Sequence, residues 1–325
     1  MTFDPGRRML LGTLGVAGAA LATGRIARGA SPPRPLVARA RREGVLDPKR
    51  GTVDAAKLES LLGAAIARAL GSRTPVEGLR RIIRPNDVVG IKVNTLAGRG
   101  LSSHPELVLR LAKWLVDAGV QPENIVIWDR ADRELKEAGF RLSRGRSGVR
   151  CQGTNQDYDW TPREWGAGGS CFAQLLVSEL TALINVGVLK DHDLAGVSAG
   201  LKNLYGTIHN PNKYHDDGCD PYVAELATHP LIRKKLRLTV VDGLMAQCHG
   251  GPARSPRWAW PWGGVLVSTD PVATDAVAWR VLEQQRKKLG LKTLAEEKRE
   301  PKWLATAQRL GLGENSWQKI DLVDV

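Results

Sequence analysis

The densest group of side chains that could do chemistry lies between residues 190 and 219. This segment combines amines, imidazoles and amides with several glycines, and it contains Lys190, His192, Lys202, Asn203, His209, His215 and Cys219. Imidazole is the side chain that most often transfers protons near neutral pH, and ammonium groups hold anions. We therefore predict that His192 is a general acid or base and that Lys190 and Lys202 hold an anionic substrate. The alternative is a glycine-rich surface loop whose histidines are ordinary polar groups.

Residues 198–205 are predicted to form a short helix within this segment. Its N-terminus follows Gly196 and would present free backbone N–H groups, which bind anions. A carboxylate, a phosphate or a sulfonate would each suit such a site.

Metal binding is a second hypothesis for the same region. The candidate ligands are imidazoles and thiols, which suit zinc, copper, nickel or iron: His215, Cys219, Cys248 and His249. The four cysteines include no Cys-x-x-Cys pair, so the sequence contains no ferredoxin-type motif and no zinc ribbon. A transition metal or an iron–sulfur cluster stays an open hypothesis for the cofactor. One or two disulfides are an alternative use of the cysteines in an oxidising compartment.

Polar residues follow each of five apolar runs that have the length of a strand. The runs cover residues 87–94, 124–128, 181–189, 236–241 and 264–268. Ligands of parallel α/β sheets bind beyond the carboxyl ends of the strands. We therefore expect a common substrate-binding site there, formed by Lys92, Asn94, Asn203, His209 and Asp242.

Helical patterns alternate with these runs. Residues 54–70, 105–118, 270–288 and 301–310 are predicted helices, and Ser102 or Ser103 is the expected cap of the second one. A strand, a helix and a strand within about 40 residues form a βαβ unit with parallel strands. The sequence thus predicts a three-layer α/β fold with a largely parallel, mixed sheet and helices on both faces.

The N-terminus has the pattern of a twin-arginine (Tat) signal peptide over residues 1–22. Arg7-Arg8 precedes a 14-residue apolar run, residues 9–22, which is shorter than the roughly 20 residues that span a bilayer. The pattern predicts export by the Tat translocase, as a transient partner, to the periplasm or the extracellular space. Residues 23–50 are a predicted linker, and residues 51–325 a single α/β domain.

Composition narrows the possible partners. The formal net charge is +13, but the basic residues are scattered and match no nucleic-acid-binding module, so we expect no nucleic acid partner. No run after residue 22 reaches 18 apolar residues, so no stable membrane span is expected in the mature form.

Five segments resemble the family called domain of unknown function 362 (DUF362). They are GIKVN near 90, NIVIWD near 124, INVGVLKDHDLAGVSAGLKNLYGTI at 184–208, LTVVDGLMAQCHGGP at 238–252 and GGVLVSTDPVATDAVAW at 263–279. The resemblance covers about residues 85–285. The family has no single agreed reaction. Many relatives carry a ferredoxin-like four-cysteine segment, which implies redox or iron–sulfur biology, but this chain lacks that segment.

The positions that match the family pattern are Lys92, Asn94, Lys190, His192, Lys202, Asn203, Gly206, Asp242, Gly251, Asp270 and Asp275. Asp270 is also the natural cap of the helix that follows it, and Asp275 could support packing.

Three functions are consistent with these patterns. The first is an exported enzyme that acts on a small anionic ligand, with a possible link to a metal or redox partner. The second is a non-catalytic periplasmic protein that binds a metal or ligand, and the third is an accessory factor of a redox complex.

Overall fold

The computed structural model describes residues 34–145 and 147–325, so the predicted signal peptide and residues 23–33 of the predicted linker lie outside the described residues. The strands are β1 (Leu36–Arg41), β2 (Leu46–Asp47), β3 (Thr52–Val53), β4 (Val89–Lys92), β5 (Ile125–Asp129), β6 (Arg150–Gly153), β7 (Tyr158–Trp165), β8 (Gly168–Ala173), β9 (Ala182–His192), β10 (Gly196–Ser198), β11 (Leu236–Gln247), β12 (Ala259–Trp260), β13 (Gly264–Ser268) and β14 (Asp321–Asp324). The α-helices are α1 (Ala55–Ala69), α2 (Pro75–Ile82), α3 (Pro105–Asp117), α4 (Asp132–Glu137), α5 (Gln174–Ser178), α6 (Tyr222–Thr228), α7 (Pro230–Arg233), α8 (Pro271–Lys288) and α9 (Trp303–Arg309). Short 3₁₀ helices cover Pro122–Asn124, Leu201–Thr207, Pro211–Tyr214, Asp216–Cys219 and Trp317–Lys319.

One large mixed sheet organises the described chain. Its strand order is β14-β1-β13-β11-β9-β4-β5-β6, with β10 paired to β9 and β12 paired to β11. The five consecutive strands β11, β9, β4, β5 and β6 are parallel to one another. Strand β13 is antiparallel to both β1 and β11, β10 is antiparallel to β9, and β12 is antiparallel to β11. The predicted βαβ unit is β4-α3-β5, whose two strands are parallel.

Helices cover both faces of this sheet, which confirms the predicted three-layer α/β fold. Residues of α1 to α4 pack with one face in one apolar core, and residues of α5 to α9 pack with the other face in a second core. Strands β4 and β9 are buried along their whole length because helices cover both their faces. This double burial explains why the two strands read as continuous apolar runs rather than alternating ones.

The predicted cap of α8 is confirmed, the predicted cap of α3 is wrong, and α1 has a cap that was not predicted. Asp54 accepts a hydrogen bond from Lys57 N (3.0 Å) to begin α1, and Asp270 accepts one from Ala273 N (2.8 Å) to begin α8. At α3 the capping position is His104, without a side-chain cap, instead of Ser102 or Ser103.

Two segments differ from the sequence-based expectations. Residues 36–41 of the predicted linker form β1, which lies inside the sheet between β13 and β14. The polar composition around this strand concealed three fully buried apolar residues, Val37, Ala38 and Ala40. The predicted helix over 198–205 begins later, as the 3₁₀ helix Leu201–Thr207, because Gly196–Ser198 pair with β9 as β10.

Within the described residues, no helix combines the length and the apolar composition needed to cross a membrane.

Candidate functional site

A cavity of about 410 Å³ opens at the carboxyl ends of β4, β5 and β9. The residues that line it are Lys92, Asn94, Leu96, Asp129, Arg130, Glu134, His192, Asp193, Leu194, Ser198, Lys202, Asn203, Tyr205, Gly206, Pro211, Asn212, His215 and Pro252. This is the edge of the sheet at which the sequence predicted a ligand site.

Lys92 and Asp129 form a buried ion pair in the wall of the cavity. Lys92 Nζ donates to Asp129 Oδ1 (2.7 Å), to the Val93 carbonyl (2.7 Å) and to Asn203 Oδ1 (3.2 Å). Asp129 Oδ2 accepts from the backbone N–H and the hydroxyl of Thr95, at 2.8 and 2.7 Å. All three ammonium hydrogens of Lys92 therefore have acceptors inside the protein. The Asp129 carboxylate neutralises the charge of Lys92.

Three asparagines connect this pair to the neighbouring strand. Asn203 Nδ2 donates to Asn185 Oδ1 (2.8 Å), and Asn203 Oδ1 also accepts from Asn94 Nδ2 (3.2 Å). Asn94 Oδ1 in turn accepts from Lys190 Nζ (3.1 Å). Because each amide is held by its neighbours, the side chains of Asn94 and Asn203 are fixed in orientation at the cavity wall.

Lys190 lies behind this wall instead of in it. Its side chain is fully buried, it does not line the cavity, and Asn94 separates it from the interior of the cavity. Burial lowers the pKa of Lys190 to about 8. The structure thus differs from the prediction that Lys190 contacts the substrate directly, because the strand turns its side chain into the protein.

Lys202 is a second lysine in the lining of the cavity and, unlike Lys92, has no neutralising carboxylate in contact with it among the described residues. Its Nζ lies 3.2 Å from His215 Nε2 and 3.9 Å from the centroid of the Tyr205 ring. No carboxylate oxygen of residues 34–145 or 147–325 lies within 4.0 Å of this ammonium, so it has no ion-pair partner there. Burial lowers the pKa of Lys202 to about 8. The nearby Asp193 carboxylate acts on this ammonium only at a longer distance. A buried cation with no carboxylate in direct contact is a natural site for an anionic ligand.

The 3₁₀ segment that carries Lys202 is held in place by Asp275 on α8. The Asp275 carboxylate accepts from Gly200 N (2.7 Å) and Leu201 N (2.8 Å), immediately before Lys202. Burial raises the pKa of Asp275 to about 7. The sequence allowed a packing role for Asp275. In the structure, Asp275 supports the site by accepting hydrogen bonds from its backbone.

Gly206 lets this segment approach the buried ion pair. A Cβ at this position would lie 2.6 Å from Lys92 Nζ and 3.0 Å from Asp129 Oδ1. Any side chain here would displace the pair, which gives a physical reason for glycine at this point of the sequence.

His192 lines the cavity with its Nδ1 turned towards the backbone. Nδ1 accepts from Leu194 N (3.2 Å) and Ala195 N (3.3 Å), which leaves the proton on Nε2. The Asp193 carboxylate also lies 3.0 Å from Nδ1, but this carboxylate is largely exposed to solvent. The backbone donors decide the tautomer because both are fixed by the turn between β9 and β10.

The surroundings of His192 keep its ring uncharged. Burial, followed by the positive charges of Lys202 and His215, lowers the pKa of His192 to about 2. The His192 and His215 rings stack with centroids 5.5 Å apart, and burial also lowers the pKa of His215. Both rings are therefore neutral hydrogen-bonding groups near pH 7.

Two predicted substrate-binding residues do not line the cavity. His209 packs edge-on against the rings of Tyr158 and Trp160, with centroids 5.2 and 5.1 Å apart. Asp242 accepts hydrogen bonds from the backbone N–H (2.7 Å) and Nδ1 (2.9 Å) of His104. Burial lowers the pKa of His104, but the charge and the hydrogen bond of Asp242, together with the charge of Glu106, outweigh burial and raise this pKa overall. Asp242 therefore joins β11 to the start of α3.

The predicted metal ligands do not assemble into a metal centre. His215 and Cys219 lie near Lys202, whereas the carbonyl of Cys248 and Nδ1 of His249 lie 2.8 and 3.3 Å from Arg286 Nη1. Among residues 34–145 and 147–325, no group of three or more His, Cys, Asp or Glu side chains could hold a metal ion. All four cysteines lie in this part of the chain and none forms a disulfide.

Arg130 and Glu134 belong to the cavity wall, although the sequence analysis did not select them as ligands. Arg130 directly follows β5, so its position after a strand was the available signal. Glu134 is on α4, and burial together with the nearby Asp129 raises its pKa. The sequence of this short polar helix contains no pattern that distinguishes a carboxylate facing a cavity from one facing solvent, so Glu134 could not be selected.

Comparison with known protein families shows the family to which the chain belongs. Residues 89–280, more than half of the chain, match the family described as "Domain of unknown function (DUF362)". This protein therefore belongs to the DUF362 family, as the sequence segments predicted. The matched region begins at β4 and ends within α8, so it contains most of the cavity wall and the Asp275 support. No curated protein matches the chain.

Proposed function

We propose that the cavity binds a small anionic molecule, with Lys202 as the main charge that holds it. The observation that carries this proposal is the Lys202 ammonium, which faces the cavity and has no carboxylate within 4.0 Å in the described residues. A carboxylate, phosphate or sulfonate group would supply the missing counter-charge. Arg130 adds a second positive side chain to the same wall.

The neutral histidines suit a hydrogen-bonding role around the bound anion. With Nδ1 of His192 occupied by backbone donors, the Nε2–H of this ring is the donor that remains for a ligand. A pKa of about 2 makes His192 a poor general acid or base near neutral pH. Lys202, whose pKa is about 8, is the better candidate to exchange a proton with the ligand, and His215 at 3.2 Å is its nearest proton acceptor.

Isothermal titration calorimetry of the full chain with acetate, inorganic phosphate and sulfate tests this proposal. We expect at least one anion to bind, and Lys202→Gln to weaken its affinity by about tenfold or more, which corresponds to about 1.4 kcal/mol or more. Lys202→Arg retains the charge and should retain most of the affinity. Lys113→Gln is the matched control, since Lys113 lies exposed on α3 beside Asp117. Equal affinity in the wild type and Lys202→Gln would refute the proposal.

We also propose that the protein is exported by the Tat translocase and acts in the periplasm or outside the cell. This proposal rests on Arg7-Arg8 and the apolar run over residues 9–22. Replacing both arginines by lysine in the full chain should leave the protein in the cytoplasm, which cell fractionation would measure. Unchanged export of that variant would contradict the Tat route.

A further inference from the structure

The mouth of the cavity carries apolar side chains that the anion-binding proposal does not use. Leu96 is 54% exposed and lies in the loop after β4, and Leu194 is 49% exposed and lies in the turn between β9 and β10. Both leucines line the same cavity as Lys202. Among the described residues, only four large apolar side chains are at least 49% exposed, and two of the four line this one cavity.

Single exposed leucines are common on protein surfaces and need no explanation. Two leucines from separate loops at the rim of one cavity are different, because together they form an apolar surface beside a polar interior. Pro211 and Pro252 also line the cavity and add apolar atoms to its lining.

The cavity therefore has a polar part and an apolar part. The buried wall contains Lys202 and the fixed amides of Asn94 and Asn203, whereas the exposed rim contains Leu96 and Leu194. A ligand with its charge at Lys202 would place the rest of its structure against the leucines. Pockets that bind organic ligands combine a mostly apolar lining with a few placed polar groups in this way.

The size of the cavity agrees with a ligand larger than an inorganic anion. Its volume of about 410 Å³ lies in the range of roughly 300–1,000 Å³ found for small-molecule sites. A carboxylate has three heavy atoms, which fill only a small part of that space. The remaining space is bounded in part by the apolar rim.

We infer that the ligand is an amphipathic anion: an acidic head group held at Lys202 and an apolar chain or ring that packs against Leu96 and Leu194. This inference rests on the proposed function and specifies its ligand class. It also gives the two exposed leucines a role, since the apolar part of the ligand would remove them from water.

A homologous series of straight-chain carboxylates tests the inference. The probes are acetate, butyrate, hexanoate and octanoate, titrated by calorimetry into the full chain. We expect affinity to rise with chain length, by up to about fourfold for each methylene that becomes fully buried. The Leu96→Asn/Leu194→Asn double variant should lose most of this increase while its acetate affinity stays within about twofold of wild type.

The matched control is Leu109→Asn/Leu289→Asn, which replaces two leucines that are similarly exposed but do not line the cavity. This control variant should keep the full dependence on chain length. It also shows whether removing exposed leucines in general changes binding or folding.

The possible failures are distinguishable. Equal affinities for acetate and octanoate would contradict the amphipathic ligand but not the anion site. The same conclusion would follow if the Leu96→Asn/Leu194→Asn variant kept the chain-length dependence of the wild type. Tight binding of 1-octanol, or unchanged octanoate affinity in Lys202→Gln, would overturn the anion site itself. Binding of none of the four carboxylates would overturn both.

Discussion

Lys202 and Lys190 show how position decides the role of a residue type. Both ammonium groups are buried and both pKa values are lowered to about 8 by burial. Lys190 donates to Asn94 behind the wall, whereas Lys202 contacts His215 and the Tyr205 ring inside the cavity. Only Lys202 can therefore meet a ligand directly, and Lys190 acts by orienting Asn94.

The lowered pKa of Lys202 predicts how anion binding depends on pH. The protonated ammonium is the form that attracts an anion, so affinity should be highest below pH 8, where this form predominates. Above pH 8 the amine is increasingly neutral in the free protein, and affinity should fall by about tenfold per pH unit. Calorimetric titration of acetate between pH 6.5 and 9.5 measures this dependence.

The Lys202→Arg variant provides the control, because a guanidinium stays charged throughout this pH range. Its affinity for acetate should change little between pH 6.5 and 9.5. A wild-type affinity that is also constant up to pH 9.5 would show that Lys202 is not the titrating group at the site.

At the scale of elements, the site depends on a contact between α8 and the 3₁₀ helix Leu201–Thr207. Asp275 accepts the two backbone N–H groups that precede Lys202, and Asn185 on β9 donates to the Gly200 carbonyl (2.7 Å). These bonds hold the start of the 3₁₀ helix from two sides. Lys202 thereby receives its position from elements that lie far from it in the sequence.

Replacing Asp275 by alanine should therefore weaken both the fold and the site. Two buried N–H groups would lose their acceptor, which we expect to cost about 1–3 kcal/mol of unfolding free energy. Acetate affinity should fall as well, because the segment that carries Lys202 is no longer held. Urea unfolding and calorimetry measure the two effects.

The stability effect of Asp275→Ala should also depend on pH. The pKa of Asp275 is raised to about 7 in the folded protein from an ordinary value of 3.8. Its stabilising contribution is therefore full below pH 4 and is lost as the pH rises through about 7. The stability difference between wild type and Asp275→Ala should become smaller between pH 5 and pH 8.

Asp270→Ala is the matched control on the same helix. It removes the α8 cap and should cost about 0.5–2 kcal/mol, but Asp270 makes no hydrogen bond to the 3₁₀ helix. If the two variants lost the same amount of acetate affinity in this test, the loss would result from the lower stability of the protein and not from displacement of the segment that carries Lys202.

For the whole molecule, all four cysteines are free thiols. Burial raises the pKa of Cys151 to about 12 and that of Cys248 to about 11, and it also raises the pKa of Cys219. Cys171 is only partly buried. Since the thiolate is the reactive form, the three buried thiols should be protected in the folded protein.

Thiol titration with Ellman's reagent tests this arrangement in the full chain. In the native protein Cys171 should react first, and the other three should react only as the protein unfolds. Four thiols should be counted after unfolding without a reductant. Two missing thiols would indicate a disulfide and contradict the structure.

The sequence by itself predicted most of the fold. The apolar runs at β4, β5, β9, β11 and β13, and the helical patterns of α1, α3, α8 and α9, are local signals of burial and periodicity. Strand β1 was missed because its neighbours in the sheet, β13 and β14, lie more than 200 residues away along the chain. Pairing over such a distance leaves no mark on local composition.

The sequence also identified part of the cavity lining, because five residues selected from it line the cavity: Lys92, Asn94, His192, Lys202 and Asn203. Only the tertiary structure decided their roles: Lys92 is neutralised by Asp129, Lys190 lies behind the wall, and His192 is held neutral. Charge state and accessibility depend on what surrounds a side chain in space. That surrounding comes from distant segments, so residue type and spacing along the chain cannot specify it.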